Sequence, residues 1–317
     1  MRALVVALLL LNAAAVVIAP AARAATPGGT VVIGHQDLNW TCDVASGCAN
    51  QWRPVGIVDV NGDRHNDLVW FNAGTGQVSA WLLDDAGHGL GFWSIDKRCT
   101  PSADCSGWAL IGVADMNGDG AADLVWYSRS SGLVRIWLVN RSGVASGTQY
   151  LNWQCDSTCS WHPVGLADMN GDAHADLVWQ QSVGGSQPSQ LGSWLLDGAG
   201  HVLGTQVLDW TCAQASNQPG QDCGGGSPDV HGVADFNRDG HQDLLFLGLS
   251  GVLTQWDLDG AGHVIPPAQK TNWTCPASTC GWILTTVGDL NADGEPDALW
   301  WNQSSGVLSS WLLNRPA

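Results

Sequence analysis

The chain has 317 residues, with 12 Lys and Arg against 29 Asp and Glu, and a net charge of −17. Nucleic acids and anionic membranes need clustered Lys and Arg, so this balance argues against both as partners. Glu295 is the only Glu, and fifteen of the Asp residues fall in one repeated loop, so the acidity reads as a set of cation ligands rather than a solvating tail.

The chain opens like an exported protein. Arg2 precedes an apolar run from Ala3 to Ile18, and Ala22-Arg23-Ala24 offers a small-residue cleavage site. The expectation is a signal peptide over 1–24, a mature start near Ala25, and a secreted, monomeric product in the periplasm or the medium. An uncleaved anchor is the alternative, but the run is short for a bilayer and lacks a basic stop-transfer cluster. Cleavage would remove Arg2 and Arg23 and no acid, taking the charge from −17 to −19. No later segment is long and apolar enough to insert in a membrane.

A strand is predicted from Thr30 to Trp40, followed by Cys42 and Cys48. From there one pattern recurs. A strand (Val55 to Val58) runs into an acidic loop, and a second strand (Leu68 to Trp70) leaves it. A Gly-containing turn leads to a third strand with a Trp (Trp81), and a fourth runs toward a cysteine pair. The first strands of later copies are Leu110 to Ala114, Val164 to Ala167, Val230 to Ala234 and Ile283 to Gly288. The loops begin at Asp59, Asp115, Asp168, Asp235 and Asp289, steps of 56, 53, 67 and 54 residues. The long step contains Ser182 to Ser189 and the wide cysteine pair Cys212/Cys223. No 3.6-residue periodicity persists, so helices are not expected.

Four strands per repeat predict an all-β fold of propeller blades. The last repeat stops in its third strand, and the first strand of the mature chain has no blade of its own. The N-terminal strand is therefore expected to complete the last of five four-stranded antiparallel blades and close a ring, leaving no open sheet edge between blades. An open solenoid is the alternative. The ten cysteines form five near neighbours: Cys42/Cys48, Cys99/Cys105, Cys155/Cys159, Cys212/Cys223 and Cys275/Cys280. In an exported chain they read as local disulfides.

The acidic loop follows the frame D-x-N-x-D-x-x-x-D. Its copies are Asp59-Asn61-Asp63-Asp67, Asp115-Asn117-Asp119-Asp123, Asp168-Asn170-Asp172-Asp176, Asp235-Asn237-Asp239-Asp243 and Asp289-Asn291-Asp293-Asp297. Calcium is a hard cation that takes six to eight oxygens, and carboxylates, an amide and a carbonyl supply most of such a shell. Magnesium prefers a smaller octahedron that keeps several waters. The loop is not an EF-hand, because it lacks the Glu at position 12 and a strand follows it. Without metal it would be an Asp/Asn turn whose crowded carboxylates repel one another.

With loop, strand and blade in place, nearly the whole mature chain resembles the FG-GAP/VCBS repeat family of secreted bacterial proteins and integrin α propellers. That resemblance implies one calcium per repeat, up to five, bound by the side chains at positions 1, 3, 5 and 9. A backbone carbonyl at position 7 would add to them, here from His65, Ala121, His174, His241 and Glu295. The chain departs from the family in having Val-Gly or Ile-Gly for Phe-Gly, and five repeats where seven are common. Arg64 and Ala173 also stand in place of the glycine at loop position 6 in the first and third copies.

Nineteen Trp residues take mostly repeat-phased places and read as packing between blades, with sugar-stacking platforms as the sharper alternative. Neither G-x-S-x-G nor HExxH occurs. The expected function is a calcium-stabilised, lectin-like binding or adhesion module for a carbohydrate or an extracellular protein, without enzymatic activity. A propeller glycoside hydrolase with paired carboxylates at the axis, or another carbohydrate-active enzyme, is the alternative.

Overall fold

A computed structural model describes residues 30–99, 105, 107–155, 158–181, 189–212, 230–248, 251–275 and 280–314. The expected signal peptide and Cys223 lie outside these residues. Five antiparallel four-stranded sheets form the five expected blades, with no helix among the described residues.

Blade one runs through β2 (Trp52–Val58), β3 (Asp67–Asn72), β4 (Gln77–Leu83) and β5 (Gly89–Ser94). Blade two is β6 (Trp108–Ala114), β7 (Asp123–Ser128), β8 (Leu133–Val139) and β9 (Ala145–Gln154). Blade three is β10 (Trp161–Ala167), β11 (Asp176–Gln181), β12 (Ser189–Leu196) and β13 (Val202–Cys212), and blade four is β14 (Val230–Ala234), β15 (Asp243–Leu247), β16 (Val252–Leu258) and β17 (Val264–Thr274). Blade five takes β18 (Ile283–Gly288), β19 (Asp297–Trp301) and β20 (Val307–Asn314) and borrows β1 (Val31–Thr41) as its outer strand. β1 pairs antiparallel with β20 from Val31 opposite Asn314 to Thr41 opposite Val307, so the ring closes as the sequence predicts.

Burial follows position in the blade. The second strands are covered on both faces: every residue of β3 and β7 is buried. The outer strand β5 alternates half-buried and exposed positions, as a strand with one solvated face does. The first strands line the axis, and each bulges just before its loop, for example between Pro54 and Gly56 and between Pro163 and Gly165. Gly56 explains the Val-Gly signature. A Cβ there would lie 2.5 Å from Val113 of the next blade, and the same close approach recurs at Gly112 on Leu166, Gly165 on Val233, Gly232 on Val287 and Gly288 on Ile57. Each missing side chain seats a neighbour's apolar one, and the series runs once round the ring.

Tryptophans fill the blades and seams. Within each blade a second-strand ring tilts onto a third-strand ring: Trp70 on Trp81, Trp126 on Trp137, Trp179 on Trp194, Phe246 on Trp256 and Trp300 on Trp311, at 4.1–4.9 Å. Three seams add edge-to-face pairs, Trp301 with Trp70, Phe71 with Trp126 and Tyr127 with Trp179. Such pairs contribute about 0.5–1.5 kcal/mol each beyond area burial. Trp301, whose places in the other repeats are taken by Phe71, Tyr127, Gln180 and Leu247, is a closure residue: it is 3% exposed and its Nε1 donates to the Cys42 carbonyl at 3.0 Å.

Four of the expected cysteine pairs are disulfides, Cys42–Cys48, Cys99–Cys105, Cys155–Cys159 and Cys275–Cys280, with Cα atoms 5.1–5.3 Å apart. They fit an oxidising, extracellular environment. No helix among the described residues is long and apolar enough to cross a membrane.

Leu38 of β1 is 4% exposed and packs with Trp70, Trp81 and Trp301. Leu38→Ala is expected to lower the unfolding free energy in urea by about 2–4 kcal/mol, and a loss below about 1 kcal/mol would show that β1 does not seal the ring.

Candidate functional site

The acidic loops join the first and second strands of every blade, and all five are built alike. The position-1 carboxylate accepts the N–H of position 6 in each copy: Arg64 to Asp59, Gly120 to Asp115, Ala173 to Asp168, Gly240 to Asp235 and Gly294 to Asp289, at 2.7–2.9 Å. The position-3 amide oxygen accepts the N–H of position 5, as Asn61 does from Asp63 at 2.8 Å. The position-5 carboxylate accepts the N–H of position 7, as Asp63 does from His65 and Asp293 from Glu295. Its other oxygen takes the amide N–H of position 3, for example Asn61 to Asp63 at 2.9 Å and Asn117 to Asp119 at 3.1 Å. These short Asp and Asn side chains form a ladder of local turns, the role their chemistry favours.

Two positions in each loop take positive φ. Position 4 is Gly62, Gly118, Gly171, Arg238 or Ala292, and position 6 is Arg64, Gly120, Ala173, Gly240 or Gly294, with φ from 57° to 88°. The glycine substitutions noted in sequence therefore leave the path unchanged. Arg64, Ala173, Arg238 and Ala292 hold a conformation that costs about 1–2 kcal/mol for a residue with a Cβ.

Position 9 behaves differently. Asp67, Asp123, Asp176, Asp243 and Asp297 are fully buried. One oxygen accepts the N–H of loop position 2 and the other an N–H at the end of the third strand. Asp123 takes Met116 at 3.2 Å and Val139 at 2.9 Å, and Asp67 takes Val60 at 3.2 Å and Leu83 at 3.0 Å. The carboxylate thus staples the loop to β4, β8 and their equivalents, a role invisible in the loop's own spacing. Burial pushes its pKa up to about 6 in Asp67 and Asp176, about 7 in Asp123 and Asp297 and about 8 in Asp243, against the pull of the two N–H donors.

The predicted ligands are therefore brought to one loop in each blade, all of them oxygen donors, as a hard cation requires. Among the described residues no three Asp, Glu, His or Cys side chains already converge at metal-binding distance. A cation would have to replace the Asn amide as partner of the position-5 carboxylate. Asp289 Oδ1 is buried without a hydrogen-bond partner, an acceptor that a cation would satisfy. The donor chemistry of all five loops fits a hard cation such as calcium, and in the fifth loop the orphaned oxygen adds to that fit.

Side chains around the loops tie them to neighbouring turns. His65 Nδ1 lies 2.6 Å from Asp85 Oδ1, and that hydrogen bond raises the imidazole's pKa. Arg141 donates to the Gly120 carbonyl, and Arg238 crosses to the next blade to reach the Asp293 and Gly294 carbonyls and Glu295. Asn66 donates to the Asp289 carbonyl at 2.7 Å across the closing seam.

Hollows occur at the axis and at the blade seams. The axial channel, about 390 Å³, has walls of first-strand residues such as Val113 and Leu166 together with Asp235 and Asp289, both loop position 1. A wider recess of about 680 Å³ opens at the seam of blades five and one, where Trp40, Trp52, Trp70, Trp81 and Phe92 converge. There Trp40 stacks on Phe92 at 4.6 Å. Sequence phasing marked the tryptophans but neither Phe92 nor the recess, because Trp40 arrives from the far end of the chain to meet blade one.

A family model described as FG-GAP-like repeat matches residues 59–126, 115–179 and 235–309. No curated protein matches the chain. Among solved structures, the Dos1 propeller aligns at 9% identity with a TM-score of 0.37, covering 80% of this chain and 65% of its own. The PQQ-bound aldose sugar dehydrogenase of Streptomyces coelicolor aligns at 12% identity and a TM-score of 0.43, covering 92% and 100%. The rhamnogalacturonan lyase PL11 of Bacillus licheniformis aligns at 14% and 0.30, covering 81% and 48%. The chain thus spans less than two thirds of the Dos1 propeller and about half of the lyase.

Asp123→Ala would leave two buried N–H groups without an acceptor and is expected to cost about 2–4 kcal/mol in urea unfolding; an unchanged midpoint would refute the staple. A pH effect follows from the turns between third and fourth strands. The backbone N–H and then the ring of His201 hold Asp197 down to about 2, and His263 does the same to Asp259. Both folded values lie below the unfolded Asp value of about 4, so this contribution is full above pH ~4 and disappears as pH falls to ~2. The double variant Asp197→Asn, Asp259→Asn should therefore show a shallower fall of Tm with acid over that range than the parent protein.

Proposed function

This chain belongs to the FG-GAP-like repeat family, and on that premise we propose that it is an exported, calcium-stabilised propeller that binds a carbohydrate or an extracellular protein and does no chemistry on it. The observation that carries the calcium role is the fivefold loop, where all-oxygen donors recur in one backbone path and Asp289 Oδ1 is buried without a partner. In each blade the ion would be held by the side chains of positions 1, 3, 5 and 9 and the carbonyl of position 7. Its contribution is a fixed positive charge between the first two strands. It would bind the folded ring and not the unfolded chain, and so stabilise by mass action.

The binding role draws on a different observation: the open aromatic recess between β1 and blade one, where the half-buried Trp40 and Trp52 and the exposed Phe92 surround the buried Trp70 and Trp81. The four disulfides support export. In this reading residues 1–24 are removed as a signal peptide and the ring works as a monomer.

Chelator should lower Tm of the purified protein and calcium should restore it, whereas an unmoved Tm at saturating chelator removes the metal from the proposal. A glycan array run beside a glycoside hydrolase panel separates binding from catalysis. Retention of a glycan or protein without turnover is the expected outcome, and turnover of any glycan would assign the ring to the hydrolase class instead.

A further inference from the structure

Blade two holds a side chain that its neighbours lack. Arg135 of β8 is 2% exposed. Its guanidinium carbon lies 4.2 Å from the ring centroid of Trp108, 5.0 Å from Trp137 and 5.9 Å from Trp126. Its Nη2 donates to Cys105 Sγ at 3.1 Å and lies 3.7 Å from Cys99 Sγ. A guanidinium thus sits in a cage of three indoles with a disulfide beside it, an arrangement that attracts cations through the negative faces of the rings. A second cation caps the cage: Lys97 Nζ lies 4.3 Å from the Trp137 centroid and donates to Thr148 Oγ1 at 3.3 Å.

The cage itself is repeated. Trp52, Trp70 and Trp81 hold the same repeat positions in blade one as Trp108, Trp126 and Trp137 in blade two, with Cys48 in place of Cys105. Two substitutions open it. Ser79 replaces Arg135, and its hydroxyl donates to the Trp93 carbonyl at 2.6 Å and lies 2.9 Å from Ser94 Oγ. Trp40 replaces Lys97 and adds a fourth indole, edge-on to Trp81 at 5.5 Å. What remains is the recess of about 680 Å³ at the surface.

We propose that this recess binds the guanidinium of an arginine side chain presented by a partner polypeptide, in the place that Arg135 fills in blade two. Resting on the reading of the ring as a binding module, it gives the partner's chemistry. The net charge of −17 draws cationic segments toward the ring. Trp70 Nε1 is buried without a hydrogen-bond partner, which would favour an acceptor such as a sugar hydroxyl, but Trp126 Nε1 is equally unpartnered in the cage that already holds a guanidinium. The indole N–H groups therefore do not decide the ligand, whereas the ring faces do. Blade three repeats the cage with Trp161, Trp179 and Trp194 around Gly192, but its hollow is about 220 Å³. The proposal is confined to blade one.

The test is calorimetric titration of the intact protein with a short arginine-containing peptide amide and with the same peptide carrying citrulline, the neutral isostere. The arginine peptide should bind, and the citrulline peptide should bind at least ten-fold more weakly. Ser79→Arg, which supplies the cage with its own guanidinium, should abolish arginine binding without lowering Tm. Trp52→Ala should weaken binding at least ten-fold and serves as the second variant if Ser79→Arg fails to fold. Absence of arginine binding, equal binding of citrulline, or arginine binding unchanged in a folded Ser79→Arg protein would each overturn the proposal. A glycan bound by the wild type with no peptide binding overturns it while leaving the binding-module reading standing. The chelator response reads the calcium role separately.

Discussion

Each blade hangs on one buried carboxylate. Asp67 and its four equivalents accept one N–H from their own loop and one from the third strand, so three consecutive strands are fixed by a single side chain. The constraint is strict because the alternatives are costly. A buried N–H without an acceptor loses its full desolvation energy, and a longer or apolar side chain cannot reach both donors. The positive-φ path of the loop, maintained even through Arg64, Ala173, Arg238 and Ala292, follows from the same requirement to bring position 9 back to the strand. The staple places an ionisable group in an apolar surrounding, and burial shifts all five pKa values upward. A divalent ion beside the loop would oppose that shift, because a nearby positive charge favours the ionised form.

The ring is assembled from contacts between unlike neighbours. Gly56, Gly112, Gly165, Gly232 and Gly288 each leave room for an apolar side chain of the following blade, and the last of them receives Ile57 of the first. The closing seam has its own fastenings: β1 on β20, Trp301 on the Cys42 carbonyl, and Asn66 on the Asp289 carbonyl. Closure of this kind removes the free sheet edge that a linear array of blades would expose.

The sequence made the architecture legible because its markers are local. The loop frame fixes the phase, the strands flank it at constant distance, and the orphan N-terminal strand matches the strand missing from the last repeat. What could not be read was anything requiring a partner from elsewhere. The staple role of Asp67 was not legible in the loop spacing, since Leu83, its second donor, lies 16 residues away on another strand. The closure role of Trp301 could not be read either, because its partners, Trp70 and Cys42, meet it only when the ring is closed. Arg135 gave no signal, because a lone Arg in a strand reads as surface charge until three indoles are seen around it.

Repetition and its exceptions carry different information. The acidic loops, the cradling glycines and the tilted ring pairs recur in every blade, and features so uniform describe how the ring is built. Recognition needs a place where one blade differs from the next. The clearest such place lies between blades one and two. The same cage of tryptophans is filled by Arg135 and capped by Lys97 in one, and left open by Ser79 and Trp40 in the other. The filled cage gives the chemistry that its geometry accommodates, and the open one gives access to solvent. A site of this kind does not need a new scaffold. Two substitutions in a packing arrangement that stability already requires are sufficient, which is why the aromatic residues of the seam serve structure and ligand at once.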